Sequence, residues 1–403
     1  MKTEKSQTLE FKYLIKAPLD QVYSAFTNST SLREWLCDAA QSDPHKGGRL
    51  YMWWQKGYYA CGEFTTVIPG KEVAFTWHGR GEPAATHVQI TLVAQGNTTS
   101  VIVTHGGIGT SENWADTVSE FKSGWETAFE NLQSVLETGQ DLRILRRPML
   151  GIYGGEDITE DLAAQLNIPV KKGSRIGEVV EGMGAQAVGM QSGDVIVKLD
   201  EKIIENGQDL ISTIQQHRAG DIVTVVFYRG DDEKKVQLQI STRQMPEVPK
   251  TPAGLAEMAG KIYTENDAEL AKCFEGVSEQ AAGQRPNPKE WSAKEVIAHL
   301  ILSERGFFNQ INDITSGEEP WYDGYGGNIP ASLSAIISVF PSVSDLLREL
   351  KMAEGVTVAL LAALPPEFVA RKNKYWKLGI TIPVISVHTR EHLTQIKAAL
   401  ESA

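Results

Sequence analysis

Cysteine is scarce in this sequence. Cys37, Cys61 and Cys273 stand far apart and form no CxxC pair. An odd, sparse set excludes a disulfide framework and suits a reducing compartment. No apolar run approaches the roughly 18 residues that a membrane-spanning helix needs. The opening MKTEKSQTLEFKYL is polar and lacks the apolar stretch of a signal peptide, so the expectation is a cytoplasmic chain with no membrane span. Blocks of five or six basic residues are absent as well, and the formal net charge is −12. Such a balance repels phosphate backbones and sets nucleic acid aside as a partner.

What is present is ordinary globular composition, 41% hydrophobic and 22% charged, over a length that suits several domains. Two breaks divide the chain. One ends in Arg146, Arg147 and Pro148, and the other carries Pro246, Pro249 and Pro252 within seven residues. Proline-rich polar runs behave as semi-extended linkers. They predict domains at 1–143, 144–245 and 250–403, with no internal repeat.

In the first part, Leu9, Phe11, Tyr13 and Ile15 alternate as in a half-buried strand, followed by a helix with Pro18 in its first turn. Strand patterns recur, with Val88, Ile90 and Leu92 on one face and Val101, Val103 and His105 on another. Trp114, Val118, Phe121, Trp125, Phe129, Leu132 and Leu136 then recur at helical spacing, and Gly139 supplies a stop. One long apolar helix over an antiparallel sheet is an α+β helix-grip layout. The stretches IKAPLDQVYSAFTNSTSLREWL and GEFTTVIPGKEVAFTW, with the closing tryptophan helix, resemble the START-like (SRPBCC) superfamily, in its branch akin to activators of the Hsp90 ATPase. That resemblance implies an apolar small molecule held between sheet and helix, near Trp114, Phe121, Trp125 and His105. The simpler reading is that the aromatic stripe is core and His105 a hydrogen-bonded core histidine.

The middle part carries GAQAVGMQSGDVI, IIENGQDL and AGDIVTVVFYRG, which together resemble a small β-rich PDZ domain of the HtrA type. Asn206 is placed to cap a helix on which Leu210 and Ile214 face inward. PDZ domains bind a peptide or protein C-terminus by adding a strand to an open sheet edge. The resemblance places that loop and strand at Met149, Leu150, Gly151 and Ile152, with Thr213 on the facing helix. It brings no protease, since no GNSGGP-like segment occurs. The alternative is a spacer.

The last part reads as an all-α four-helix bundle. Its first helix is marked by Leu255, Met258, Ile262, Leu270 and Phe274. Ser292 and Glu295 form an S-x-x-E capping box at the start of the second. The third ends at Pro365 and Pro366, and the fourth is IPVISVHTREHLTQIKAAL. On that fourth helix His388 and His392 share a face one turn apart, in line with Ile396 and Leu400. His299 shares an inward face of the second helix with Val296, Ser303 and Phe307. The stretches EWSAKEVIAHL and HTREHLTQI resemble the DinB-like superfamily, which includes metal-dependent thiol-S-transferases. That resemblance makes His299, His388 and His392 ligands of one divalent metal, and zinc and nickel both suit imidazole. Trp321, Tyr322, Asp323 and Tyr325 are candidates for a substrate mouth, the alternative being a plain surface loop. The expectation is a metal-dependent enzyme of thiol transfer or related hydrolase or isomerase chemistry. The alternatives are a non-catalytic, chaperone-associated adaptor and a carrier of lipid or small molecules.

Overall fold

The structure is a computed structural model that describes residues 5–55, 57–318 and 329–402. The chain divides into two compact units, Asp141–Met245 and the two stretches that flank it, Met1–Gln140 with Pro246–Ala403.

The flanked unit opens on a seven-stranded antiparallel sheet. Its strands are β1 (Ser6–Ile15), β2 (Ala39–Ser42), β3 (Arg49–Trp53), β4 (Tyr59–Ile68), β5 (Glu72–Gly79), β6 (Thr86–Gln95) and β7 (Thr98–Gly109), in spatial order β1-β7-β6-β5-β4-β3-β2. The alternation read in the sequence sets the pleat. Phe11 and Ile15 turn into the core with Val88, Ile90, Leu92, Val101 and Val103. Helix Leu19–Thr27 starts one residue after Pro18, which stands at its N-cap rather than in its first turn. The tryptophan stripe is split. Trp114 closes a short 3₁₀ turn, Glu112–Trp114, and the long helix runs Ala115–Thr138 across the sheet. Gly139 ends it at φ +85°, where a side chain would be strained.

In the bundle, four long helices span Pro252–Cys273, Ala293–Ser316, Val343–Ala362 and Lys372–Glu401. The first and second each pack on both the third and the fourth. Ser292 and Glu295 cap the second reciprocally. A further helix, Ile329–Val339, and short ones at Glu279–Gly283 and Pro366–Val369 were not visible in the periodicity. The fourth helix begins ten residues before its apparent start and runs through Pro383. Buried Tyr375, Trp376, Leu378 and Ile382 hold that extra length in place. The bundle core falls into two apolar clusters. One contains Val296, Ile301, Leu346, Leu350, Leu393 and Ile396, and the other Leu255, Ala259, Ile311, Leu361 and Ile382. Between them along every long helix lie polar residues: Asn266 and Asp267, Glu304, Glu354 and Thr357, His388 and Thr389.

The inserted unit is built on strands Val195–Leu199, Ile222–Arg229 and Asp232–Gln239, with Ser174–Arg175 and Lys202–Ile203 pairing on Val195–Leu199. Helix Gly207–Ile214 is capped by Asn206, whose side chain accepts from Asp209 N, and it buries Leu210 and Ile214. Among the described residues no single helix is long and apolar enough to cross a membrane.

Candidate metal centre

The second and fourth bundle helices bring three imidazoles together. His299 Nε2 lies 3.3 Å from His388 Nε2, which lies 3.1 Å from His392 Nε2. One ligand atom from each of the three fits within 4.8 Å of the other two. The helical pitch does this, since residues four apart stack on one face, and His299 faces them from the neighbouring helix. Trp291 packs on His299 with ring centroids 5.0 Å apart.

The protonation state follows from burial. Desolvation, reinforced by His392 and His388, pushes His299 down to about 4. Desolvation and then His392 lower His388, with Glu391 acting the other way. Neutral imidazoles are what a metal requires. His392 Nδ1 lies 2.9 Å from Gln395 Oε1, which only accepts, so Nδ1 carries the proton and Nε2 keeps a lone pair aimed at the other two.

The Nε2 atoms of His388 and His392 and that of His299 face one another, an arrangement that a shared cation would satisfy. A tetrahedral zinc with Zn–N of about 2.0–2.1 Å places its nitrogen ligands about 3.3–3.4 Å apart. The two spacings given above are close to that, so the donor set fits a divalent ion. The buried Nδ1 of His299 has no hydrogen-bond partner among the described residues.

Beside the histidines opens a cleft of ≈ 300 Å³. His388 and Ser303 stand on its lining, with Leu300, Phe307 and Val384 as apolar wall. Ser303 Oγ is 3.4 Å from His299 Nε2. The cleft also reaches the polar layer. Tyr263 Oη donates to Glu304 Oε2 at 2.8 Å, and Thr357 Oγ1 donates to Glu304 Oε1. Burial raises the Glu304 carboxyl. Burial, then Asp267 and Glu304, pushes Glu354 up to about 9. These carboxyls were not singled out from the sequence. The signal was there in the third helix, where Leu350, Glu354, Thr357 and Leu361 share one face and two polar residues interrupt the apolar stripe. Trp321, Tyr322, Asp323 and Tyr325 lie outside the described residues.

The helix-grip residues also converge. His105 is fully buried; its Nδ1 accepts from Trp125 Nε1 at 3.1 Å, and its Nε2 lies 2.7 Å from Thr86 Oγ1. Indole only donates, so the proton sits on Nε2. Thr86 passes the chain on to Trp77 O at 3.2 Å. Phe121 packs on His105 at 4.2 Å between centroids, and Trp114 is buried nearby in the same core.

In the inserted unit, Met149 pairs with Ser241 and Ile152 with Val179. Leu150 is core, and its carbonyl accepts from Ala185 N at 2.8 Å. Gly151 sits at φ +90°, and a Cβ there would come within 2.4 Å of Met183 Cβ. Close packing against Met183 therefore demands glycine at this place in the loop. Thr213 is buried, and its hydroxyl donates to Asp209 O within its own helix at 2.7 Å.

Sheet, PDZ unit and histidine-bearing bundle define a multidomain chain with three kinds of part. Family models place them: residues 16–137 match the activator of Hsp90 ATPase homolog 1-like proteins, 159–240 the PDZ domain and 262–396 the DinB superfamily. Among curated proteins, the chain is similar to the periplasmic pH-dependent serine endoprotease DegQ of Escherichia coli, 28% identical over 110 residues, covering 27% of this chain and 23% of the relative. It is also similar to the serine protease Do-like HtrA of Lactobacillus helveticus, 35% identical over 101 residues and 24% of each chain. The chain thus spans about a quarter of the length of these relatives. Among solved structures, an HSP90 activator from Plasmodium falciparum is 22% identical over 32% of this chain and 96% of its own, with a TM-score of 0.29. The Aha1 dimer from Colwellia psychrerythraea is 21% identical over 32% and 96%, with a TM-score of 0.30.

Proposed function

We propose that the bundle is a metal-dependent enzyme in which His299, His388 and His392 hold one divalent ion, zinc or nickel. The observation that carries this is the convergence of three imidazoles at the edge of a cleft large enough for a small substrate. A bound divalent ion supplies a coordinated water or thiol that is acidic enough to act as a nucleophile near neutral pH. Three protein ligands leave a position for that molecule. The chain's own residues do the rest. Gln395 orients His392, Ser303 stands within reach of the histidine cluster, and the apolar wall formed by Leu300, Phe307 and Val384 excludes water from the electrophile. Transfer of a low-molecular-weight thiol to an electrophile is the reaction that this arrangement supports best, with hydrolysis or isomerisation as relatives of it.

For the inserted unit we infer capture of a peptide or protein C-terminus along Ile152–Tyr153. This strand pairs on one side with Glu178–Val179, and among the described residues no strand pairs on its other side. In the helix-grip part, Phe121 and Trp125 pack on His105 and Trp114 is buried in the same core, so an apolar small molecule would enter by displacing them. We infer a reducing compartment such as the cytoplasm from the sparse cysteines, three in number with no CxxC pair.

Metal analysis tests the first reading. Purified protein is expected to hold about one zinc or nickel per chain, and His388→Ala with His392→Ala to hold none after dialysis. Metal-free protein whose melting is unchanged by added zinc would instead favour the adaptor.

A further inference from the structure

Serine and threonine hydroxyls inside helices commonly turn back onto the carbonyl four residues earlier. Two in this bundle do so. Thr264 donates to Gly260 O at 2.7 Å, and Thr315 to Ile311 O at 2.9 Å. Ser303, inside the second long helix, does not. Its Oγ lies 3.4 Å from Nε2 of His299, one turn earlier, and this is its one hydrogen-bond contact among the described residues. The distance exceeds the usual range of about 2.5–3.2 Å, so the hydroxyl is held loosely. Ser303 is half-buried and stands on the wall of the cleft together with His388. Its hydroxyl thus sits where the histidine cluster meets the cleft.

A divalent ion held by the three imidazoles takes the Nε2 lone pair of His299, because that atom faces His388 Nε2. The Ser303 proton then loses its acceptor. A neutral hydroxyl competes poorly with imidazole for zinc or nickel, which puts Ser303 beside the ion rather than on it. Within its reach is then the molecule that fills the position left open by three protein ligands. The apolar side chains of Leu300, Phe307 and Val384 offer that molecule no competing donor.

We propose that Ser303 is a positioning residue whose hydroxyl donates a hydrogen bond to the nucleophilic atom admitted beside the histidines. The bond fixes the direction from which that atom meets an electrophile in the cleft. This rests on the reading of the three histidines as ligands of one ion and extends it to the orientation of what binds there. Ser303 and His299 lie four residues apart on one helix, so the helical pitch sets their relation in advance.

Cobalt(II) titration of the full chain, followed by 1-propanethiol under argon, tests this. Cobalt accepts the same nitrogen ligands as zinc, and a sulfur bound to it shows as a charge-transfer band. The parent chain is expected to take up cobalt and then the thiol, each saturably. Ser303→Ala is expected to hold cobalt as tightly, within about twofold, yet to bind the thiol about tenfold more weakly, as loss of a hydrogen bond to a charged atom implies. Ser303→Thr keeps the hydroxyl and is expected to restore thiol binding. Thiol binding as weak in Ser303→Thr as in Ser303→Ala assigns the effect to packing and overturns the proposal. Equal thiol affinity in the parent and Ser303→Ala overturns it as well. So does loss of cobalt from Ser303→Ala, which makes the serine a ligand, and so does a parent that binds cobalt without any sulfur band. In each of these outcomes the metal reading stands. A parent that binds cobalt no better than the His388→Ala/His392→Ala variant removes the metal reading and this proposal with it, so the two failures are told apart.

Discussion

His105 shows how far a single side chain can be tied to its surroundings. Burial pushes it down to about 3 from an ordinary value of 6.5. In the unfolded chain the imidazole takes up a proton below about pH 6.5, while in the folded chain it stays neutral until about pH 3. Its contribution to stability is thus present above pH 6.5 and is lost as the pH falls from 6.5 towards 3. Between pH 6.5 and 5 the loss amounts to about 2 kcal/mol. His105→Gln is expected to lower stability at pH 7 yet flatten its pH dependence by that amount, read as urea midpoints at pH 5, 6 and 7. Gln395 makes a comparable point at the metal centre. Gln395→Ala removes the group that fixes the His392 tautomer and is expected to weaken zinc binding about tenfold with the fold intact, measured by competition with a chromophoric chelator. At this scale the sequence was readable where spacing carried the message. His388 and His392 lie one turn apart, and His299 lies on an inward face. Glu304 went unread, because a lone carboxyl in a helical stripe acquires meaning only from the helices that face it, and Glu354 was signalled only by the polar break it makes with Thr357.

Among the elements, the fourth bundle helix departs most from expectation. Proline in a helix interior removes one hydrogen bond and crowds the carbonyl four residues back. That residue here is Gly379, whose missing side chain admits Val248, so that a Cβ would stand 2.3 Å from Val248 Cγ1. The helix crosses Pro383 because packing on both sides outweighs the lost bond. Gly379→Ala is therefore expected to destabilise the unit by about 1–3 kcal/mol through overpacking, seen as a lower denaturant midpoint. The span read from sequence began at Ile382, which left Pro383 next to the helix start, where proline is commoner. The strands were easier, because alternation of Leu9, Phe11, Tyr13 and Ile15 reports a buried face directly. The capping box at Ser292 was equally local, and its geometry is the one its spacing demands. Helix Ile329–Val339 went unread, since its only polar residues, Ser332, Ser334 and Ser338, are small and uncharged and set no clear helical period.

For the whole molecule, changes of texture along the chain marked three kinds of part. Packing of the first stretch with the last was not legible, because it joins residues far apart in the chain. Lys372 Nζ donates to Leu136 O at 3.2 Å and Glu137 O at 2.9 Å, and the buried Asn373 Nδ2 donates to Gly139 O at 2.8 Å. These bonds satisfy carbonyls that the long helix leaves open at its C-terminus. Lys374 adds an ion pair with Glu34 at 3.7 Å. Residues 141–245 are consequently an insertion, fastened at both ends to a body that closes without them. A protease that severed the backbone inside the insertion would not part the flanks. Two bands are expected under denaturing electrophoresis and one species in native gel filtration, and separate elution of the fragments would refute it. Integrity of the peptide chain and integrity of the particle are, for this protein, separate properties.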